Sequence, residues 1–322
     1  MLRSFLMLLS VLPCTTFSVA ETPSTKDSRS PAVSRQAPLS LAAYGTPEKQ
    51  KTKSASSDIT LEERSSGSTK ESSESTGTDS VEKFGYREVS DFFNIREANP
   101  QVDKGEWEFE FETKWFTRSN GERDEIGIAQ TLKYGVTDDF FIELEEEQGH
   151  LGDGADQGNG DLFIVLFNRF IREDETVPAV AAQVEMRLPT GDGSSGIDAA
   201  LSLITTKSIT DRLRVHLEGI IETANGGSGE EDINRRHFQW AIGPGIDYQF
   251  DERTLGLLNY INRSSEEYGE HNENLLEFGV VHEIYHNGDI HSHIKLAADV
   301  GLDGQDETPN FGTKFQWSID WK

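Results

Sequence analysis

Glu106-Trp107-Glu108-Phe109-Glu110-Phe111-Glu112-Thr113-Lys114-Trp115 is the stretch that decides the fold. Trp107, Phe109, Phe111 and Trp115 fall on odd positions, with Glu106, Glu108, Glu110, Glu112 and Lys114 on the even ones between them. Successive side chains of an extended chain point to opposite faces, so these residues predict a strand with one aromatic and one charged face. A helix would mix the two sets.

The same period recurs along the chain. Ile126, Ile128, Leu132, Tyr134 and Val136 share one parity, and Phe140, Ile142 and Leu144 alternate with Glu143, Glu145 and Glu147. Leu213, Val215 and Leu217 alternate with Arg212, Arg214 and His216, and Phe311, Phe315, Trp317, Ile319 and Trp321 with Lys314, Gln316, Ser318, Asp320 and Lys322. Short connections at 137–139, 172–177, 209–211, 251–253 and 287–289 take turns with longer polar ones at 149–159, 190–198, 225–235, 264–274 and 303–310, while 118–123 makes the first outer turn. Short turns at one end and long loops at the other are the pattern of an outer-membrane barrel, and the segments between them number roughly twelve. Apolar parity is kept through the turns, even from Val136 to Phe140 and odd from Leu203 to Leu213, so one face stays apolar throughout. Trp107, Trp115, Trp317 and Trp321 crowd the first and last strands as interfacial girdle residues do, which places the aromatic face outside and the polar face in the lumen.

Composition bounds the rest. The chain has 322 residues, a formal net charge of -27 and 35% hydrophobic residues, too polar for a bundle of transmembrane helices. Its negative balance argues against nucleic acid as a partner, since phosphate binding draws on clustered Lys and Arg. Residues 1–20 read as a signal peptide: Arg3 precedes the apolar run from Phe5 to Leu12, and Ser18-Val19-Ala20 ends before Glu21. The lone cysteine, Cys14, falls in that leader, so disulfides and thiolate metal sites are excluded from the mature chain. Residues 21–104 read as a low-complexity, mostly disordered periplasmic segment, typified by Ser65-Ser66-Gly67-Ser68-Thr69-Lys70-Glu71-Ser72-Ser73. Within it the stretch from Phe84 to Ile95, with Phe92 and Phe93, predicts a short docking helix. Residues 105–322 are the barrel.

Tyr134-Gly135-Val136-Thr137-Asp138, its echo Ser208-Ile209-Thr210-Asp211-Arg212-Leu213, Gly160-Asp161-Leu162, and Leu188-Pro189-Thr190-Gly191-Asp192 are turn and strand motifs. The stretch from Ile126 to Thr223 that carries them resembles the outer-membrane barrels of the phenol-degradation MetA-pathway transporter family. The resemblance implies passage of small solutes, hydrophobic or aromatic ones included, and brings no catalytic residues.

His282-Glu283-Ile284-Tyr285-His286 matches the H-E-x-x-H zinc pattern, which requires a helix. Here Leu276, Phe278, Val280 and Ile284 alternate into it, and Asn287-Gly288 is a hairpin signal. On a strand, residues four apart lie about 13 Å from each other, too far for both to reach zinc at about 2.0–2.1 Å. No metal ligands and no cofactor are therefore assigned. Glu283, Tyr285, His291 and His293 instead form a candidate polar cluster on the lumen wall, where a weak metal or proton-sensitive site is the minority reading. No G-x-S-x-G turn marks a nucleophile.

Glu106, Glu108, Glu110, Glu112, Glu143, Glu145 and Glu147 are the candidate selectivity residues of an acidic lumen. The competing reading is that Lys114, Lys133, Lys314 and Lys322 neutralise them across strands. Together these observations predict a closed antiparallel transmembrane β-barrel, exported to the outer membrane, that acts without catalysis as a channel for small solutes. Its partners would be outer-membrane lipid, the barrel-assembly machinery and the solute, and a homo-oligomer is compatible with the pattern. A hydrolase on the same scaffold and a purely structural or adhesive barrel are the rival functions.

Overall fold

The structure is a computed structural model that describes residues 88–117, 124–151, 159–191, 194–225, 236–265, 268–302 and 310–322. Residues 1–87, which include the expected signal peptide and most of the expected disordered segment, lie outside the described residues. Twelve strands follow in order: β1 (Trp107–Thr117), β2 (Glu125–Thr137), β3 (Phe140–Leu151), β4 (Leu162–Ile171), β5 (Ala179–Leu188), β6 (Asp198–Ser208), β7 (Leu213–Thr223), β8 (Phe238–Gln249), β9 (Thr254–Arg263), β10 (Glu273–Asn287), β11 (Ile290–Gly301) and β12 (Phe311–Trp321). Each pairs with its sequence neighbours, and β1 pairs antiparallel with β12 to close the barrel, with Trp107 opposite Trp321 and Phe111 opposite Trp317.

The strand ends fall where the turn chemistry puts them. The two-residue connection between β10 and β11 holds Gly288 at φ 63°, a conformation that the Asn-Gly pair supplies readily. Between β4 and β5 the Asp174 carboxylate accepts the N–H groups of Thr176 and Val177 at 2.7 and 2.8 Å. At the β2–β3 turn, hydrogen bonds from Arg172 and Arg169 hold the Asp139 carboxyl below its usual range. These short turns share one end of the barrel with the start of β1 and the end of β12; the strand ends that the long connections join lie at the other.

Alternation sets the two faces. Leu144, Leu203, Ile242, Phe278 and Leu296 point outward and are 45–58% exposed. Glu108, Lys133, Arg214, Asp247, Glu277 and Lys295 point inward and are almost fully buried. A water-soluble barrel would have the reverse arrangement, so this one is built for lipid, where a closed sheet also leaves no edge strand unpaired. Aromatic residues mark both ends of the seam: Trp107 stacks near Tyr134 at 4.5 Å, and Trp115 lies 6.3 Å from Phe311.

Residues 88–102 occupy part of the interior. The helix expected between Phe84 and Ile95 does not form in the described part, which consists of turns and bends. Composition groups this stretch with the polar segment before it, yet the structure folds it inside the barrel, because inward strand side chains satisfy its backbone. Glu277 accepts the Asn94 N–H at 2.8 Å, Glu218 that of Arg96 at 2.9 Å, and Thr206 that of Ala98 at 2.8 Å. Val89, Phe92 and Phe93 pack on Leu255, Leu257 and Val281; Ile95 packs on Ala241, Ile261 and Leu275; Ala98 and Val102 pack on Phe141, Phe167 and Ile204.

Glycines on the strands make room for it, Gly135 and Gly279 most directly. A Cβ at Gly135 would stand 1.8 Å from the Asp103 carbonyl oxygen, where the inner segment bonds back to β2 through Gly105 N–H and Gly135 O at 2.7 Å. One at Gly279 would stand 2.5 Å from the Phe93 ring.

Because Arg96 is 1% exposed, trypsin should not cut after it in the folded barrel, whereas protein unfolded by boiling should be cut there. Mass spectrometry of the fragments checks this; cleavage after Arg96 in protein that still shows heat-modifiable gel mobility would contradict the internal location. Glu97→Ala leaves Arg214 with Asp247 as its remaining acid, at a cost of about 1.5–3 kcal/mol to docking of the segment, and should expose the same bond more often while the barrel stays folded.

Candidate functional site

Three lysines organise the inner face. Lys295 of β11 donates to Glu88 at 2.5 Å, Glu110 at 3.0 Å and Ser90 at 3.0 Å, with Glu108 4.0 Å away. Lys133 of β2 reaches Glu110 at 2.8 Å, Asp91 at 3.4 Å and Glu143 at 3.8 Å. Lys314 of β12 binds Glu277 at 2.7 Å, the Asn94 side chain at 3.1 Å and Asp299 at 3.5 Å. Each lysine thus joins at least two strands to the inner segment.

Two arginines complete the network. Arg214 of β7 pairs with Asp247 at 2.7 Å and with Glu97, while His216 Nε2 lies 2.7 Å from the same Asp247 and its Nδ1 3.0 Å from Thr206. Arg96 lies over the Phe167 ring at 4.5 Å and the Phe141 ring at 5.5 Å, and bonds Gln183. Burial alone would raise the Asp91 carboxyl, yet Lys133, Arg96 and Lys295 hold it well below the usual carboxylate range.

The structure divides the seven candidate glutamates by environment. Glu108, Glu110 and Glu143 are buried beside Lys133 and Lys295, and Glu112 forms an ion pair with Lys114 at 2.5 Å and accepts the Gln316 side-chain amide at 3.1 Å. Glu106 lies just before β1, where its carboxylate accepts the Asp103 N–H at 2.6 Å. Glu145 and Glu147 are half-buried and line a cavity of about 280 Å³ in the half of the barrel next to the long connections. Residues 91–94 and Arg96 of the inner segment contribute to its lining. Seven carboxylates and four cationic side chains line it, so its balance is acidic. Glu125, Glu185, Glu218 and Asp299 belong to this set and were missed in the sequence, although their inward parity was readable there. Lys114 and Lys314 line the cavity too.

Glu283, His291 and His293 are brought together at the other end, on the β10–β11 hairpin. Tyr285 is not: it is 48% exposed, and its hydroxyl accepts the Asn287 side chain at 3.1 Å. A register shift between Glu283 and Tyr285 turns the strand there and brings His286 to Glu283 in its place, at 3.0 Å. His282 points outward, 3.1 Å from Thr254, so the two histidines of the H-E-x-x-H pattern have different partners on a strand and form no helical pair.

No family model matches the chain, and no curated protein matches it. Among solved structures it is similar to the crystal structure of the COG4313 outer membrane channel from Pseudomonas putida F1, with 14% identity over 70% of this chain and 98% of that one and a TM-score of 0.52. The NanC porin (12% identity, 66% and 99% covered, TM-score 0.46) and the KdgM porin (7%, 67% and 98%, 0.42) are more distant. At such identity the likeness concerns the fold, and the fold it supports is the closed outer-membrane β-barrel.

Proposed function

We propose that the chain is an outer-membrane channel that passes small solutes, aromatic ones among them, through a lumen narrowed by residues 88–105. The observation that carries this reading is the acidic cavity of about 280 Å³ bounded by Asp91, Phe92, Phe93 and Asn94. It has the size and mixed polarity of a solute site. The phenol-pathway resemblance supports the aromatic part, as do Phe92, Phe93 and Phe116 in the lining. The apolar outer face takes outer-membrane lipid as its surroundings, reached by export through the leader and insertion by the barrel-assembly machinery. Nothing in this reading requires a catalytic group.

Planar-bilayer recordings test the path. The full mature chain should conduct weakly, and a variant lacking residues 21–104 should conduct several-fold better, because water replaces the inner segment. Equal conductance would place the segment outside the path, and silence of both would remove the channel reading.

Selectivity tests the field. Carboxylates within a Debye length of about 8 Å act together on an ion, so the channel should prefer cations, less so as salt rises. Combined Glu145→Gln, Glu147→Gln and Glu185→Gln should move the reversal potential toward neutral. Glu108→Gln with Glu110→Gln should leave selectivity nearly unchanged and lower the yield of folded barrel, since those two neighbour Lys133 and Lys295. Anion preference in the unaltered channel would refute the acidic field.

A further inference from the structure

We propose that Glu283, His291 and His293 form a divalent transition-metal site at the short-turn mouth of the barrel. One ligand atom from each lies within 4.8 Å of the others. The Glu283 Oε1 atom stands 3.1 Å from His291 Nδ1 and 3.0 Å from His286 Nδ1. Donors about 2.0–2.1 Å from a tetrahedral metal are about 3.3 Å from one another, so side-chain rotations suffice to close the set. Glu283 and His293 are directly opposed across the β10–β11 ladder, and His291 is two residues from His293 on the same strand. The register shift lies beside Glu283, whose carboxylate stands between His286 and His291, and the fourth position is left to water.

The surroundings fit a cation. Glu283 and His293 are buried, whereas the His291 and His286 side chains are 27% and 51% exposed, so an ion has a route in. Asp320 stands 3.5 Å from His293 Nδ1 and adds a carboxylate to the negative surroundings of that ring. Of the neighbouring cations, Lys295 is engaged by Glu88 and Glu110, and Arg253 is 60% exposed and 3.9 Å from the other Glu283 oxygen. The second acidic group in the interior, Glu88 with Glu108 and Glu110, differs because the Lys295 ammonium already stands among its oxygens. Imidazole with one carboxylate selects zinc, copper or nickel over magnesium and calcium. The inference is independent of conduction, since a barrel of any function would carry it.

The test uses the untagged mature protein in detergent, stripped with chelator and dialysed against zinc chloride. One zinc per barrel should be retained in the presence of excess calcium. His291→Ala with His293→Ala should abolish retention, and His282→Ala should not. Glu283→Gln, nearly isosteric, should weaken binding by at least about ten-fold, as loss even of an outer partner does. Heat-modifiable mobility shows that each variant is folded. Absence of stoichiometric zinc, or equal zinc in the folded His291/His293 variant, overturns the site.

Discussion

Three buried ammonium groups constrain this barrel more than any other feature. An isolated lysine taken out of water costs several kcal/mol, so Lys133, Lys295 and Lys314 can face inward only where carboxylates from several chain segments converge. Lys295 on β11 requires Glu110 on β1, across the closing strand β12, and Glu88 from the inner segment. Lys314 on β12 requires Glu277 on β10 and Asn94. The same contacts therefore fix strand register and dock the segment. A slip by one residue would turn the lysines to lipid, at about 2–4 kcal/mol each near the midplane, and strand their carboxylates.

Residues 88–105 stand between a core and a ligand. Apolar contacts at Val89, Phe92, Phe93, Ile95, Ala98 and Val102 hold the segment as a hydrophobic core would. The hydrogen bonds and ion pairs around them differ in one respect: once the segment leaves, water enters and hydrates both sides. The cost of undocking is thus set mostly by the apolar contacts, and the wall left behind is already suited to an aqueous lumen. Lipid-facing positions have no such alternative, and it is the pairing of β1 with β12 that spares the sheet an open edge there.

Alternation and turn chemistry made the barrel legible in the sequence, because a strand's two faces are written in nearest neighbours. Trp107 to Trp115, Phe140 to Leu144 and Phe311 to Trp321 each declare their parity locally. The inner segment was not legible. Its backbone is irregular, and Asn94, Arg96 and Glu97 acquire partners 183, 122 and 117 residues away. The inward glutamates could be named from parity, but which were matched by lysine depended on stagger between strands. Glu108 and Glu145 look alike in sequence; one is buried near Lys295 and the other faces a cavity. Tyr285 was misplaced for a local reason, since a bulge breaks the period of two on which parity rests.

Parity also explains why the two ends of the interior differ chemically. Toward the long connections, β3 and β5 bring Glu145, Glu147 and Glu185 inward to a cavity whose lining holds seven carboxylates and four cationic side chains. Toward the short turns, β10 and β11 bring imidazoles and a single carboxylate into contact, a donor set that favours direct coordination. Residues 88–105 run between these ends and contact lysines that also bind strand carboxylates. The barrel architecture alone would permit any order of these elements. Their order here follows from which inward positions carry carboxylate, lysine or imidazole, and from the bulge beside Glu283 that gathers the last of them.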